Sequence, residues 1–260
     1  MRFIVISDTH GNLAPVTRLA KEDNADACLH LGDCCCVTRN SVSRFSQELL
    51  EKSLKHSQIP RDLLAEANDI TTMRELAVRY RTYGDFEDYF SGSKSFSIPV
   101  YAVPGNNEDR QVVAQLREHP LPNLFFLDEN NSLEIEGFCL YGIGGDILSD
   151  SGTANEFGWC SCSRQVEKLQ QRMTTGSCCP KIQLSHIPPY ESEIVDRLTR
   201  TVKPVLALCG HTHHWDERTL GDSNWICQGI TLPKLRRGFA ILELHNGKFN
   251  CKTYKDIEVL

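Results

Sequence analysis

No stretch of the 260-residue chain is apolar for anything near the ~20 residues that a membrane-crossing helix needs, so a membrane partner has no support. The opening residues, Met1-Arg2-Phe3-Ile4-Val5-Ile6-Ser7-Asp8, lack the basic stretch, long apolar core and small-residue cleavage site of a secretory signal. A cytoplasmic location is therefore the expectation. A basic surplus is missing too. With 28 Lys and Arg against 34 Asp and Glu, the formal charge is −6, which disfavours a nucleic-acid partner that would call for a basic face. A small phosphorylated substrate is not disfavoured, because bound divalent cations add positive charge that the count omits. Internal repeats and low-complexity tracts are absent as well.

Cysteine is plentiful, but the spacings of a thiol framework are missing. The twelve cysteines include Cys34-Cys35-Cys36, Cys160 with Cys162, and Cys178-Cys179. None of these groupings has the two-residue separation of a zinc ribbon, and adjacent cysteines do not suit a simple disulfide framework. Reduced thiols are the expectation. Its rivals are a second zinc site from Cys160, Cys162, Cys178 and Cys179, and redox regulation.

What is present reads as one α/β domain carrying an insertion, with 40% hydrophobic and 24% charged residues. Residues 2–6 form a short apolar run typical of a strand buried on both faces. A helix is expected over about 14–23 and a second buried strand over 27–31. Strand, helix, strand in this order implies a parallel sheet with functional loops at the carboxyl ends of its strands. From about 38 to 92 apolar residues recur at helical spacing, as in Leu63, Leu64 and Ala67, with Pro60 where a helix would begin. This segment is read as a helical insertion that covers the sheet, lids the site or forms an oligomer contact. Strands return at 98–103, 124–127, 133–136, 138–143, 181–185, 205–209, 225–230, 238–244 and 248–254. Asn246-Gly247 supplies a two-residue hairpin turn between the last two.

The chemistry lies in where polar residues fall along this pattern. Asp8 and His10, Asp33, Asn106, His186, and His211 with His213 each follow a predicted strand. If the strands lie in adjoining sheets, their carboxyl ends bring all seven side chains to one edge. Carboxylates, imidazoles and an amide form a set suited to Mn, Fe or Zn, and ill suited to a thiol-seeking ion or an all-oxygen calcium site. Each element alone has an ordinary reading, such as a turn after a strand or a structural histidine. Gly210-His211-Thr212-His213 says more, because alternate residues of an extended segment point the same way.

The order of these elements resembles the calcineurin-like metallophosphoesterases. That family's blocks D-x-H, G-D, G-N-H-[ED], a later His and G-H-x-H are matched by Asp8-Thr9-His10, Gly32-Asp33, Gly105-Asn106-Asn107-Glu108, Ser185-His186 and Gly210-His211-Thr212-His213. The resemblance runs from first residue to last, apart from 38–92 and parts of 145–180. It implies a four-layer α/β sandwich of two central mixed β-sheets flanked by helices, in a single domain over 1–260. It also implies two divalent transition metal ions. Asp8, His10 and His213 would bind the first, Asn106, His186 and His211 the second, and Asp33 would bridge them. The reaction would be in-line attack on a phosphate ester by a metal-bridging hydroxide, between ions about 3.5–4 Å apart. Asp33, His10 and Asn107 are the residues nearest to catalysis in this reading, and a nucleotide is among the candidate substrates.

One departure bears on the substrate. The family's G-N-H-[ED] histidine, which assists the leaving oxygen, is replaced by Asn107. An amide donates a hydrogen bond but cannot deliver a proton, and loss of general-acid help costs roughly 10²–10⁴-fold. Esters with acidic leaving groups suffer least, so a phosphodiester or activated phosphomonoester is expected over an alkyl monoester. His30 and His119 are the candidate substitute acids. A narrower resemblance, from Tyr80 to Gly92, is to the RNA lariat debranching enzymes, which cleave a 2′,5′-phosphodiester. Those enzymes commonly carry Cys where this chain has Asp8 and keep the His that is Asn107 here, so shared ancestry of the insertion is the favoured reading. A binding or scaffold protein that kept the fold and lost catalysis is the alternative from another class.

Overall fold

The computed structural model describes residues 1–9, 20–34, 59–69, 72–73, 76, 98–106, 108, 113–114, 117–118, 123–148, 159–176, 178–212, 216–220, 223–227 and 237–257. For 148, 216–220, 223–227, 237–238 and 253–257 it describes the backbone alone. Most of the helix expected over 14–23 falls outside these residues. So does most of the 38–92 segment; among its described residues, helix α1 (Arg61–Glu66) starts directly after Pro60.

Period-two alternation sets the layers. In β1 (Arg2–Ile6), Phe3 and Val5 face one way and Ile4 and Ile6 the other, and all four are buried. A strand apolar on both faces has to be covered on both, which places it inside a sheet between two layers. Its sheet has the order β14 (Lys248–Ile257), β13 (Arg237–His245), β1, β2 (Ala27–His30), β3 (Val100–Ala102), β4 (Leu124–Phe126). β1 to β4 run parallel, while β13 and β14 are antiparallel additions. The second sheet has the order β11 (Asp216–Leu220), β12 (Ser223–Cys227), β10 (Leu206–Cys209), β9 (Lys181–Ser185), β6 (Phe138–Ile143), β5 (Ser132–Ile135). Its four inner strands are parallel and its two edges antiparallel. A short ribbon pairs β7 (Asp146–Leu148) with β8 (Cys160–Cys162).

The two sheets pack through one apolar layer. Phe3, Val5, Leu29, Val103, Ala240 and Leu242 of the first sheet meet Phe138, Leu140, Ile182, Leu184, Leu206 and Leu208 of the second. The outer face of the second sheet, with Cys139, Tyr141 and Ile143, is covered by α2 (Ser163–Thr175) and α3 (Glu193–Val202). Val166, Leu169 and Met173 recur at helical spacing on α2, as do Val195, Leu198 and Val202 on α3. On the far side of the first sheet, Ile4, Ile6, Cys28, Val100 and Phe126 pack with Ala20, Ala25, Cys34 and Val113. Two central mixed sheets flanked by helices are thus the observed architecture.

The strands expected at 2–6, 138–143 and 181–185 coincide with β1, β6 and β9. Asn246 and Gly247 have φ of 48° and 75°, which makes the expected hairpin turn one of the primed type that matches strand twist. The ribbon β7–β8, the edge strand β11 and the helices α2 and α3 were not legible in the same way. Three-residue strands show no alternation, and the apolar stripe of α2 is diluted by long polar side chains.

Candidate metal centre

Five of the seven expected ligands fall within the described residues, and the fold brings them to one edge of the sandwich. Asp8 follows β1, Asp33 follows β2, Asn106 follows β3, His186 follows β9 and His211 follows β10. β1, β2 and β3 are parallel neighbours in one sheet, and β9 and β10 in the other. His10 and His213 lie outside the described residues, as do Asn107 and His119. Donor atoms of Asp8, Asp33 and His186 all lie within 4.8 Å of one another.

His186 sits at the middle of the cluster and is fully buried. Its Nδ1 lies 2.8 Å from the Leu31 carbonyl, across from its own sheet. A carbonyl only accepts, so the proton of the neutral ring sits on Nδ1 and the lone pair on Nε2. That Nε2 faces Asn106 Oδ1 at 2.9 Å, His211 Nδ1 at 3.2 Å and Asp33 Oδ1 at 3.6 Å. Lone pairs crowded together in a buried site repel unless a cation sits among them. The donor set therefore fits a metal, and the carbonyl-anchored imidazole is the usual outer support of a histidine ligand. Burial on its own lowers the His186 pKa, but the Asp33 and Asp8 carboxylates outweigh it and the ring lies above its ordinary value of 6.5.

The carboxylates are held by the backbone around them. Asp8 Oδ2 accepts the His211 N–H at 3.0 Å and the Ser7 hydroxyl, joining the loop after β1 to the loop after β10. Glu108, fully buried, accepts the Asp33 N–H at 3.1 Å and the Gly105 N–H, joining the loops after β2 and β3. Asp8, Asp33 and His211 have φ of 53°, 53° and 73°, the left-handed region that side chains other than Gly, Asn and Asp rarely adopt. Such conformations cost about 1–3 kcal/mol each and persist where the surroundings enforce them. The expectation of an extended Gly210–His213 segment does not hold at His211. Its left-handed φ, with the Thr212 N–H on the Gly210 carbonyl at 2.9 Å, turns the ring edge-on to His186 with 5.0 Å between centroids.

Gly32, with φ 95°, has room for no side chain: a Cβ there would lie 2.5 Å from His186 Nδ1. At Gly105 a Cβ would run into the Asp33 backbone and carboxylate. The two glycines of the G-D and G-N blocks thus let the ligand loops close on one another. Glu108 was visible as the acid ending the G-N-x-E block, whereas Ser7 and the Leu31 carbonyl carried no sequence signal. His30, a candidate acid, is fully buried, with Nε2 at 3.0 Å from Thr9 Oγ1 and Nδ1 at 2.8 Å from Cys34 Sγ. Among the described residues the cysteines form no metal-binding group, and Cys160, Cys162, Cys178 and Cys179 are in no disulfide.

The family model for calcineurin-like phosphoesterases matches residues 1–215. No curated protein matches the chain. One crystal structure aligns over 96% of this chain and 98% of its own with a TM-score of 0.67 at 17% identity. That of TT1561 of Thermus thermophilus covers 96% of this chain and 97% of its own, with a TM-score of 0.58 at 18% identity. GAP50, the anchor in the inner membrane complex of Plasmodium, covers 100% and 89%, with a TM-score of 0.52 at 12% identity. At such identities these structures speak to the fold.

Proposed function

Since the chain belongs to the calcineurin-like phosphoesterase family, we propose that it is a dinuclear, metal-dependent hydrolase of phosphate esters that favours a phosphodiester or activated monoester. The observation that carries this reading is the crowding of lone pairs around His186 Nε2 at the carboxyl ends of parallel strands from two sheets.

Asn106, His186 and His211 would hold one cation in this reading, Asp8 with His10 and His213 the other, and Asp33 would serve both. When bound, two such cations supply Lewis acidity to the phosphoryl oxygens and lower the pKa of the attacking water. The chain's own part is to fix the donors. Leu31 sets the His186 tautomer, Glu108 ties the Asp33 loop to the Asn106 loop, and Asp8 ties its loop to His211. Asn107, next to a ligand, offers a phosphoryl oxygen a hydrogen bond and no proton, so the leaving group departs unassisted. That favours acidic leaving groups.

The test is a Mn²⁺-supplemented screen of bis-aryl against mono-aryl phosphates, with cyclic nucleotides alongside, on protein whose metal content is measured. Higher turnover of the diester is expected. Faster monoester hydrolysis would overturn the role given to Asn107, as would an Asn107→His variant with unchanged monoesterase activity, since that change is expected to raise it. The missing proton donor also favours a second reading, a binding protein on the same fold. That reading predicts metal uptake without turnover of any ester in the screen.

A further inference from the structure

A half-exposed carboxylate stands at the rim of the cluster with no part in the mechanism so far. Glu191 Oε2 lies 3.6 Å from His211 Nε2, and both side chains keep about a third of their surface, 38% and 31%. We propose that Glu191 is a positioning residue for His211. Its carboxylate faces Nε2, favours the proton there and so reserves the Nδ1 lone pair for the cation that His186 also holds. This inference rests on the metal-centre reading above.

The argument is one of tautomers. A neutral imidazole has a single N–H, and a ligating nitrogen cannot carry it. For His186 the choice is settled by the Leu31 carbonyl, which takes Nδ1–H and leaves Nε2 to the cluster. His211 is turned the other way round. Its Nδ1 points at His186 Nε2 at 3.2 Å, so a His211 that binds a cation through Nδ1 carries its proton on Nε2. The Glu191 carboxylate stands on that side and favours the tautomer the site requires. Two histidines thus ligate through opposite nitrogens, each backed by an oxygen on its far side.

The chain holds Glu191 in place through rigid local structure. Pro188 and Pro189 follow the His186 loop and fix their φ angles, and residues Pro189–Glu191 form a single 3₁₀ turn. The Glu191 N–H bonds the Pro188 carbonyl at 3.0 Å and Ser192 then caps α3, whose apolar face is buried. His186 and Glu191 therefore share one short loop, and His211 lies between them in space. A polar contact this exposed contributes little to stability, so its loss reads out on the metal and not on folding.

The experiment is calorimetric titration of Mn²⁺ into the metal-free full chain, comparing wild type with Glu191→Ala, Glu191→Gln and His211→Ala. Removal of such an outer partner costs roughly 10–100-fold in metal affinity. Glu191→Ala is expected to weaken binding within that range while its metal-free melting temperature stays at the wild-type value. Glu191→Gln, whose amide oxygen still accepts a hydrogen bond, is expected to recover part of the loss. Wild-type affinity in Glu191→Ala, alongside weakened binding in His211→Ala, overturns the role of Glu191 and leaves the metal centre standing. Absence of binding by the wild type itself overturns the metal centre, and this inference with it.

Discussion

Asp33 joins two demands that usually conflict, a carboxylate aimed at a shared site and a left-handed backbone at φ 53°. Its N–H is held by Glu108 and its loop by the glycine before it. The cost of that backbone can be separated from the role of the side chain. Asp33→Ala and Asp33→Gly both remove the carboxylate, but alanine keeps a Cβ in a region where only glycine is at ease. The glycine variant is expected to be about 1 kcal/mol more stable than the alanine variant in urea unfolding. Equal stabilities would show that the loop relaxes out of this conformation once the carboxylate is gone.

Helix α3 shows how a flanking element supports the site from behind. Ser192 begins it by accepting the Val195 N–H, and Lys203 ends it at φ 54° with its N–H on the Thr199 carbonyl. Its start is also the end of the turn that carries Glu191, so fraying at the first cap would loosen the rim of the metal cluster. The second cap lies away from the cluster and offers a gain without functional cost. Glycine suits a left-handed C-terminal position better than lysine, and Lys203→Gly is expected to raise stability by about 1 kcal/mol in thermal or urea unfolding with metal affinity unchanged. A loss of stability would mean that the lysine side chain supports the helix end by more than its backbone costs. α2 serves as cover for Cys139, Tyr141 and Ile143.

At the scale of the whole molecule the candidate metal centre is a clamp between two sheets. His186 reaches the Leu31 carbonyl from one sheet to the other, and Asp8 receives the His211 N–H across the same seam. A cation held there binds the folded chain alone, so saturation a hundredfold above the dissociation constant adds about 2.7 kcal/mol to stability. Mn²⁺ or Zn²⁺ is expected to raise the melting temperature and a chelator to reverse the rise. The rise should also depend on pH with a definite sign. The raised pKa of His186 means that its protonated form stabilises the metal-free fold. That contribution is fully present below the ordinary value of 6.5 and is lost as pH climbs through the raised value. The metal needs the neutral ring, so its stabilisation should grow over that same climb. A shift in melting temperature that is constant from pH 5.5 to 8, taken as about the window that brackets an imidazole, would place the competing proton elsewhere.

The sequence by itself determined the order of strands that matter and the polar residues that end them. The run from Phe3 to Ile6 is apolar without interruption, and a charged or polar residue just after such a buried strand lies at its carboxyl end. The primed hairpin turn at Asn246-Gly247 was equally local, because two positive φ angles in succession call for those residues. Tertiary structure decided which atoms face one another. Nothing in the order of residues says that the Leu31 carbonyl meets His186, that Glu191 stands beside His211, or that His30 meets Thr9. Those pairings join segments from separate strands and sheets. Such contacts depend on how two twisted sheets pack over a shared apolar layer, and only the assembled layer fixes that.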